Sequence, residues 1–188
     1  VTNIGSMGNA AFAGSGLVST GLDKVVGLKS IPDNAYDSCR ALTDSGLGKN
    51  TSITSIGASA FKYCSSLATT GLEHNTTIET LGRACFYGAD LSGGVTLPYY
   101  SKIELLPNDA FGYTNLETVF FGCNHVVLIN SDSFPKRNMT VMVPAKMIPQ
   151  YASGRPKQVW ESCNGILPVP VGKVLQKIEI SRDPDKMT

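Results

Sequence analysis

A chain of 188 residues holds one ordinary domain or one short solenoid, and its 42% hydrophobic content is enough for a core. Only 16% of residues are charged, low beside the roughly 25% usual in soluble domains, which argues against long disorder. With 16 basic and 15 acidic residues the net charge is +1, so there is no electrostatic footprint for nucleic acid or an anionic membrane. No apolar run approaches the roughly 20 residues of a membrane span.

The chain repeats. Phe12, Tyr36, Phe61, Phe86, Phe111 and Phe134 follow one another at 24, 25, 25, 25 and 23 residues, and a fixed period between roughly 20 and 50 residues marks stacked units. Other columns move with the aromatic. Eight residues before it stand Ile4, Leu28, Ile53, Ile78, Ile103 and Val126; five before it stand Met7, Ile31, Ile56, Leu81, Leu106 and Ile129. Immediately before it the residue is small: Ala11, Ala35, Ala60, Cys85, Ala110 and Ser133. Five or six after it come Leu17, Leu42, Leu67, Leu91, Leu116 and Met139.

In chain order, residues 1–24 carry a first rung whose upstream face needs covering, so a cap or further repeats are expected before Val1. Residues 25–49 form the second rung, where Pro32 and Asn34 replace a Gly-centred turn and the Tyr36 hydroxyl is expected to reach solvent. Residues 50–73 and 75–98 form the third and fourth. In the fourth, Gly93-Gly94 reads as a bulge or loosened strand. The fifth runs from Ser101 to Cys123, and a shortened sixth from His125 to Pro144.

Within a rung, the segment after the aromatic, LATTGL or LETVFF, suits a short strand with one face buried. The segment IGASAFKYC suits a tight turn with one helical or 3₁₀ turn. Stacking then gives parallel strands about 4.8 Å apart and a continuous inner ladder of aromatics.

This pattern resembles the BspA-like leucine-rich repeat, whose rung reads I-x-x-I-G-x-x-A-F-x-x-C-x-x-L and which ITSIGASAFKYCSSLATTGL, Ile53 to Leu72, follows at nearly every position. The resemblance covers Ile4 to Pro144. It implies a right-handed solenoid of the α/β type, with a parallel sheet on one face and short turns or 3₁₀ turns on the other. Arrays of this family often close with a V-P-Y-W-I segment, here Val143, Pro144, Tyr151, Trp160 and Ile166, so residues 145–168 are expected to form a C-terminal cap with Trp160 across the last rung. The SGRPK insert at Ser153 to Lys157 departs from that spacing. Residues 169–188 are an extra strand or a linker and tail.

The five cysteines, Cys39, Cys64, Cys85, Cys123 and Cys163, form no CxxC pair, which argues against a zinc site. They read as buried free thiols, with a bridge between Cys39 and Cys64 left open. Catalysis is poorly provided for. The only histidines are His74 and His125, no nucleophile, metalloprotease or phosphate-loop motif is present, and a Cys-His hydrolase is the distant alternative. Glu73, Glu79, Glu104 and Glu117 recur about once per rung and read as solvated faces. Asp183 and Asp185 lack the rest of a calcium loop. No cofactor or metal is expected. The sequons at Asn50, Asn75 and Asn138 read as turn chemistry.

Binding remains. Outward strand positions between the buried ones are Ser19, Thr43, Asp44, Thr69, Ser92, Glu117, Thr118 and Phe120, of which Phe120 is the least expected on a solvated face. The basic group Lys136, Arg137, Lys146, Arg155 and Lys157 is read as solvated. The family resemblance implies a secreted or surface-displayed bacterial protein, with some members adhesins for host proteins. The chain is therefore expected to be a monomeric, non-enzymatic recognition module for a protein or glycan ligand at the cell surface, with a structural spacer as the rival.

Overall fold

The computed structural model describes residues 2–130, 132–135, 139–144, 147–151 and 168–171. In chain order its strands are β1 (Thr2–Asn3), β2 (Val25–Val26), β3 (Ser30–Ile31), β4 (Ser55–Ile56), β5 (Thr80–Leu81), β6 (Val95–Leu97), β7 (Leu105–Leu106), β8 (Thr118–Phe121), β9 (Leu128–Ile129), β10 (Thr140–Pro144) and β11 (Pro168–Val171). A short helix, α1 (Ile148–Tyr151), lies between the last two. All pairings are parallel, and the chain winds as a solenoid of about six turns.

Apart from the short β1-β2 pair at the start of the chain, strands run along two lines of the solenoid, not one. The first line precedes the aromatic: Ile31, Ile56 and Leu81 are register partners in the sheet β3-β4-β5, and Leu106 pairs with Ile129 in β7-β9. Two prolines divide this line. The residue after the strand donates its amide to the previous rung, Gly57 to the Ile31 carbonyl and Gly82 to the Ile56 carbonyl, each at 2.7 Å, and Asn130 to Leu106 at 3.1 Å. In the second and fifth rungs that residue is Pro32 or Pro107, which has no N–H to donate. The ladder therefore starts at β3 and stops between β5 and β7.

The second line follows the aromatic, where a strand was expected in every rung. It is regular only in the later rungs, in the sheet order β11-β10-β8-β6. There Val95, Leu97, Val119, Phe121, Val141 and Val143 alternate inward, and the β-branched or aromatic alternation fits a pleated surface. In the earlier rungs the same place holds Thr20-Gly21-Leu22, Ser45-Gly46-Leu47 and Thr70-Gly71-Leu72. Each glycine is left-handed, at φ 71, 67 and 81, and opens a 3₁₀ turn at Leu22–Lys24, Leu47–Lys49 and Leu72–His74. LATTGL is thus not a strand, because the left-handed Gly71 turns the chain out of the extended path.

The segment around the aromatic also departs from expectation. IGASAFKYC begins on β4 and continues as turns without a helix. Residues two before and two after the aromatic are left-handed, as at Ser59 (φ 56) and Tyr63 (φ 56), so successive peptides point along the solenoid axis. Phe12, Tyr36, Phe61, Phe86 and Phe111 each donate their amide to the next rung at 2.7 to 2.9 Å. Gly93 and Gly94 are part of a turn entering β6, closed by the Gly94 amide on the Leu91 carbonyl at 2.9 Å.

The predicted aromatic ladder is present. Ring centroids are 5.3 Å apart from Phe12 through Phe86, then 5.9 Å to Phe111 and 6.0 Å to Phe134, with planes within 15°. Tyr36 is only 1% exposed, so its hydroxyl does not reach solvent, and burial raises its pKa well above the ordinary value. In the shortened sixth rung the register slips and Val127 is buried in place of Val126.

Buried polar side chains stitch adjacent rungs. Asn50 donates to the Leu22 and Val25 carbonyls at 2.7 and 3.0 Å and accepts the Ser52 and Ile53 amides at 2.9 Å. Asn75 repeats the pattern one rung on, with Leu47, Asn50, Thr77 and Ile78. Both asparagines are buried, so these two sequons are structural; Asn138 lies outside the described residues. Cys39, Cys64, Cys85 and Cys123 are free and buried, and the Cys39 and Cys64 thiols donate to the carbonyls of Phe12 and Tyr36 at 3.0 and 3.2 Å. No bridge joins them. Cys163 and Trp160 lie outside the described residues.

Three measurements follow from this packing. Phe86→Ala removes a ring stacked on both faces and should cost about 3–5 kcal/mol in chemical denaturation; a loss below about 1 kcal/mol would place the ring outside the core. Asn75→Ala removes four side-chain hydrogen bonds to backbone groups and should cost more than about 2 kcal/mol, with an unchanged midpoint contradicting the stitch. Burial pushes the Cys64 and Cys85 thiols from 9.0 up to about 12, so the unfolded chain loses these protons first. Stability is therefore full below pH 9 and falls as pH rises toward 12; Cys64→Ala with Cys85→Ala should flatten that alkaline fall, and an unchanged slope would refute the assignment.

Candidate functional site

The residues expected to bind lie along one side of the solenoid, spread over five rungs. Ser19 and Asp44 form an isolated parallel bridge. The Thr43 amide and hydroxyl both donate to the Val18 carbonyl, and the Asp44 carboxylate accepts the Gly46 amide at 2.8 Å. Thr69 is exposed next to Gly93. Ser92 is exposed and donates to Asp90 at 2.7 Å. Hydrogen bonds from Asn115 and then Ser92 hold the Asp90 carboxyl below its ordinary pKa. Glu117 is exposed, while Thr118 and Phe120 are half-buried on β8. Phe120 is flanked in register by Thr96 and Met142.

Among the described residues, Asp44 and Thr69 share a groove of about 460 Å³ with Lys49, Glu73 and His74. Their alignment comes from the rung register, which sets equivalent residues side by side at roughly 4.8 Å.

Nucleophilic chemistry finds little support in the geometry. Cys64 and Cys85 are raised to about 12 and Cys123 to about 11, in each case mainly by burial, so these thiols carry negligible thiolate at neutral pH. His125 Nε2 lies 2.9 Å from the Ile103 carbonyl, which accepts from it and fixes that nitrogen as the protonated one. His74 is exposed at the end of its 3₁₀ turn. Glu79, Glu104 and Glu117 are exposed, and Glu79 pairs with Lys102 at 2.8 Å. Among the described residues no group of three His, Cys, Asp or Glu could hold a metal ion, and no helix is long and apolar enough to cross a membrane. Asp183, Asp185 and the basic group Lys136, Arg137, Lys146, Arg155 and Lys157 lie outside the described residues.

A second surface was missed from sequence. Tyr63, Tyr87 and Tyr113 form a row outside the turn segment, with centroids 5.6 and 5.8 Å apart. Tyr113 is 80% exposed and Tyr63 41%. The Lys62 ammonium sits 5.0 Å from the Tyr63 ring centroid and 5.8 Å from that of Tyr87, and Arg83 pairs with Asp109 at 3.2 Å beside the row. Burial and the neighbouring Tyr63 raise the Tyr87 pKa. The tyrosines stand two, one and two residues after the inner aromatic, so no single column reveals them. The available signal was a glycine 25 residues after two of them, Gly88 after Tyr63 and Gly112 after Tyr87.

No curated protein matches the chain. Six copies of the BspA type leucine rich repeat region, however, are matched over residues 5–140, a span that contains the aromatic ladder from Phe12 to Phe134 and the left-handed turns. The chain therefore belongs to the BspA type leucine rich repeat family.

Proposed function

We propose that this chain is a non-enzymatic recognition module of a secreted or surface-displayed bacterial protein. It binds a protein or glycan ligand as a monomer, through the outward positions that follow the aromatic in each rung. Residues 145–168 serve as its C-terminal cap. The observation that supports this reading best is Phe120, a large apolar ring half-buried on the outward side of β8 between Thr96 and Met142. Apolar rings flanked by adaptable hydroxyls and a rim of charge are the usual make-up of contact surfaces. Exposed Thr43, Asp44, Thr69, Ser92 and Glu117 extend that surface along the array.

Family membership supports an interaction role in general, while ligand and compartment are inferences from the exposed chemistry and the family's usual setting. A spacer that only holds another domain away from a surface is the competing reading, and it requires none of these side chains.

Display of the intact protein to glycan and host-protein arrays is expected to yield at least one saturable ligand. The pair Thr69→Arg and Glu117→Lys should weaken that ligand by about tenfold or more, with the thermal midpoint unchanged. Silence on both arrays, or full binding by the folded double variant, would contradict recognition through this face and favour the spacer.

A further inference from the structure

Along the first strand line, two amides tie each rung to the one behind it. Thr54 donates to the Lys29 carbonyl and Gly57 to Ile31, Glu79 to Thr54 and Gly82 to Ile56, Leu128 to Glu104 and Asn130 to Leu106, all at 2.7 to 3.1 Å. Between the fourth and fifth rungs both ties are missing. Pro107 has no N–H to offer the Leu81 carbonyl. Glu104 does have one, yet among the described residues its amide makes no hydrogen bond, and the Glu79 and Leu81 carbonyls accept none. The lack of a donor at 107 is therefore only part of the cause, because the two rungs also stand apart.

Steric bulk accounts for the rest. When rungs stack at their usual distance, the position after the strand has no room for a side chain. A Cβ at position 57 would meet the Asp33 nitrogen and the Pro32 carbonyl carbon at 2.6 Å, and one at position 82 would meet the corresponding atoms of Ala58 and Gly57 at 2.4 Å. Those neighbours are backbone and cannot swing aside. Glycine fills the position in the third and fourth rungs, whose rings stand 5.3 Å from those behind them. Pro107 and Asn130 carry a Cβ there, and their steps widen to 5.9 and 6.0 Å. Asn130 keeps its amide, so the wider step stays bonded. Pro107 combines the bulk with the missing donor, and its step comes open. The first rung is held from one side only among the described residues, and the step at Pro32 stays at 5.3 Å.

The opening is confined to one side of the solenoid. On the aromatic side Ala84, Phe86 and Gly88 donate to Asn108, Ala110 and Gly112 at 2.9 to 3.1 Å, and on the second strand line β6 pairs with β8 and the Gly122 amide donates to Leu97 at 2.8 Å. The open side holds a groove of about 780 Å³ lined by Leu81, Tyr100, Leu105 and His125. Across it runs the Lys102–Glu79 ion pair at 2.8 Å, with both side chains half-exposed or more. Exposed pairs of this kind hold weakly.

Two bonded sides and one open side make a hinge. Each unit of a repeat array touches only its neighbours, so the step with the fewest bonds is where the array gives. We propose that the seam between β5 and β7, wedged by Pro107, is a hinge. Rungs two to four and rungs five and six move as two blocks, opening and closing along the first strand line while the aromatic turns and the β6–β8 pair form the pivot. Thr43, Asp44, Thr69 and Ser92 ride on one block and Glu117, Thr118 and Phe120 on the other, so the hinge sets the span of that face. It stands on backbone geometry and does not depend on what the face binds.

Amide relaxation dispersion on the intact protein should show microsecond-to-millisecond exchange, the scale of hinge motions, at Thr80, Leu81, Glu104 and Leu105. Ser55 and Ile56, at the glycine-filled steps, should show none. Pro107→Gly supplies both the clearance and the amide that Gly57 and Gly82 provide. In that variant the dispersion should vanish, and the Glu104 amide, now bonded to Glu79, should exchange with solvent at least about tenfold more slowly relative to the Phe61 amide. Flat profiles at the four seam residues of the unaltered protein, or equal dispersion at Ser55 and Ile56, would overturn the hinge. So would a folded Pro107→Gly variant whose dispersion and Glu104 exchange are unchanged.

Discussion

The structure depends on one constraint, the register of backbone hydrogen bonds between rungs about 25 residues apart. Around the aromatic, each rung donates to the one after it, as Phe61 does to Cys85; the residue that follows the strand before the aromatic donates to the rung behind it, as Gly57 does to Ile31. A rung is therefore gripped from both sides, and a slip of one residue would break both sets and move every inward side chain. The stacked rings, the thiol column and the asparagine stitches all inherit their geometry from that register.

Local exceptions to the repeat adjust the solenoid without breaking it. Pro32 and Pro107 interrupt the first strand line because they lack the amide that the register needs. The aromatic ladder continues past Pro107, although its spacing widens from 5.3 to 5.9 Å at the Phe86–Phe111 step. The left-handed glycines at 21, 46 and 71 convert the second line into 3₁₀ turns, and the alternating VTL, TVFF and TVMVP segments return it to sheet. The outer row changes character along the same axis. Ser30, Ser55 and Thr80 on the early strands of the first line give way to exposed Leu105 and Leu128 on the later ones.

Columns such as Ile56, Ala60 and Phe61 were legible in the sequence because burial restricts them in every rung. Strand placement was harder to read. Two-residue strands such as Ser55–Ile56 are too short to show a period of two, and LATTGL looks like LETVFF until Gly71 is known to be left-handed. The tyrosine row escaped for a different reason. Its members occupy shifted positions at 63, 87 and 113, and a column search discards shifted residues. What unites them is spatial: the Tyr63 and Tyr87 rings lie against Gly88 and Gly112 of the next rung, visible in sequence only as a glycine one period later. Exposed residues such as Thr69 and Glu117 could be assigned a side of the rung but not a shared cavity, because the register aligns them without gathering them.

Scalar couplings transmitted through hydrogen bonds test the register most directly, since they report a donor and its acceptor in solution without altering either. The account predicts that the Phe61 amide couples to the Cys85 carbonyl and the Gly57 amide to the Ile31 carbonyl. Coupling of either amide to a carbonyl within its own rung, or to one shifted by a residue in the neighbouring rung, would contradict it.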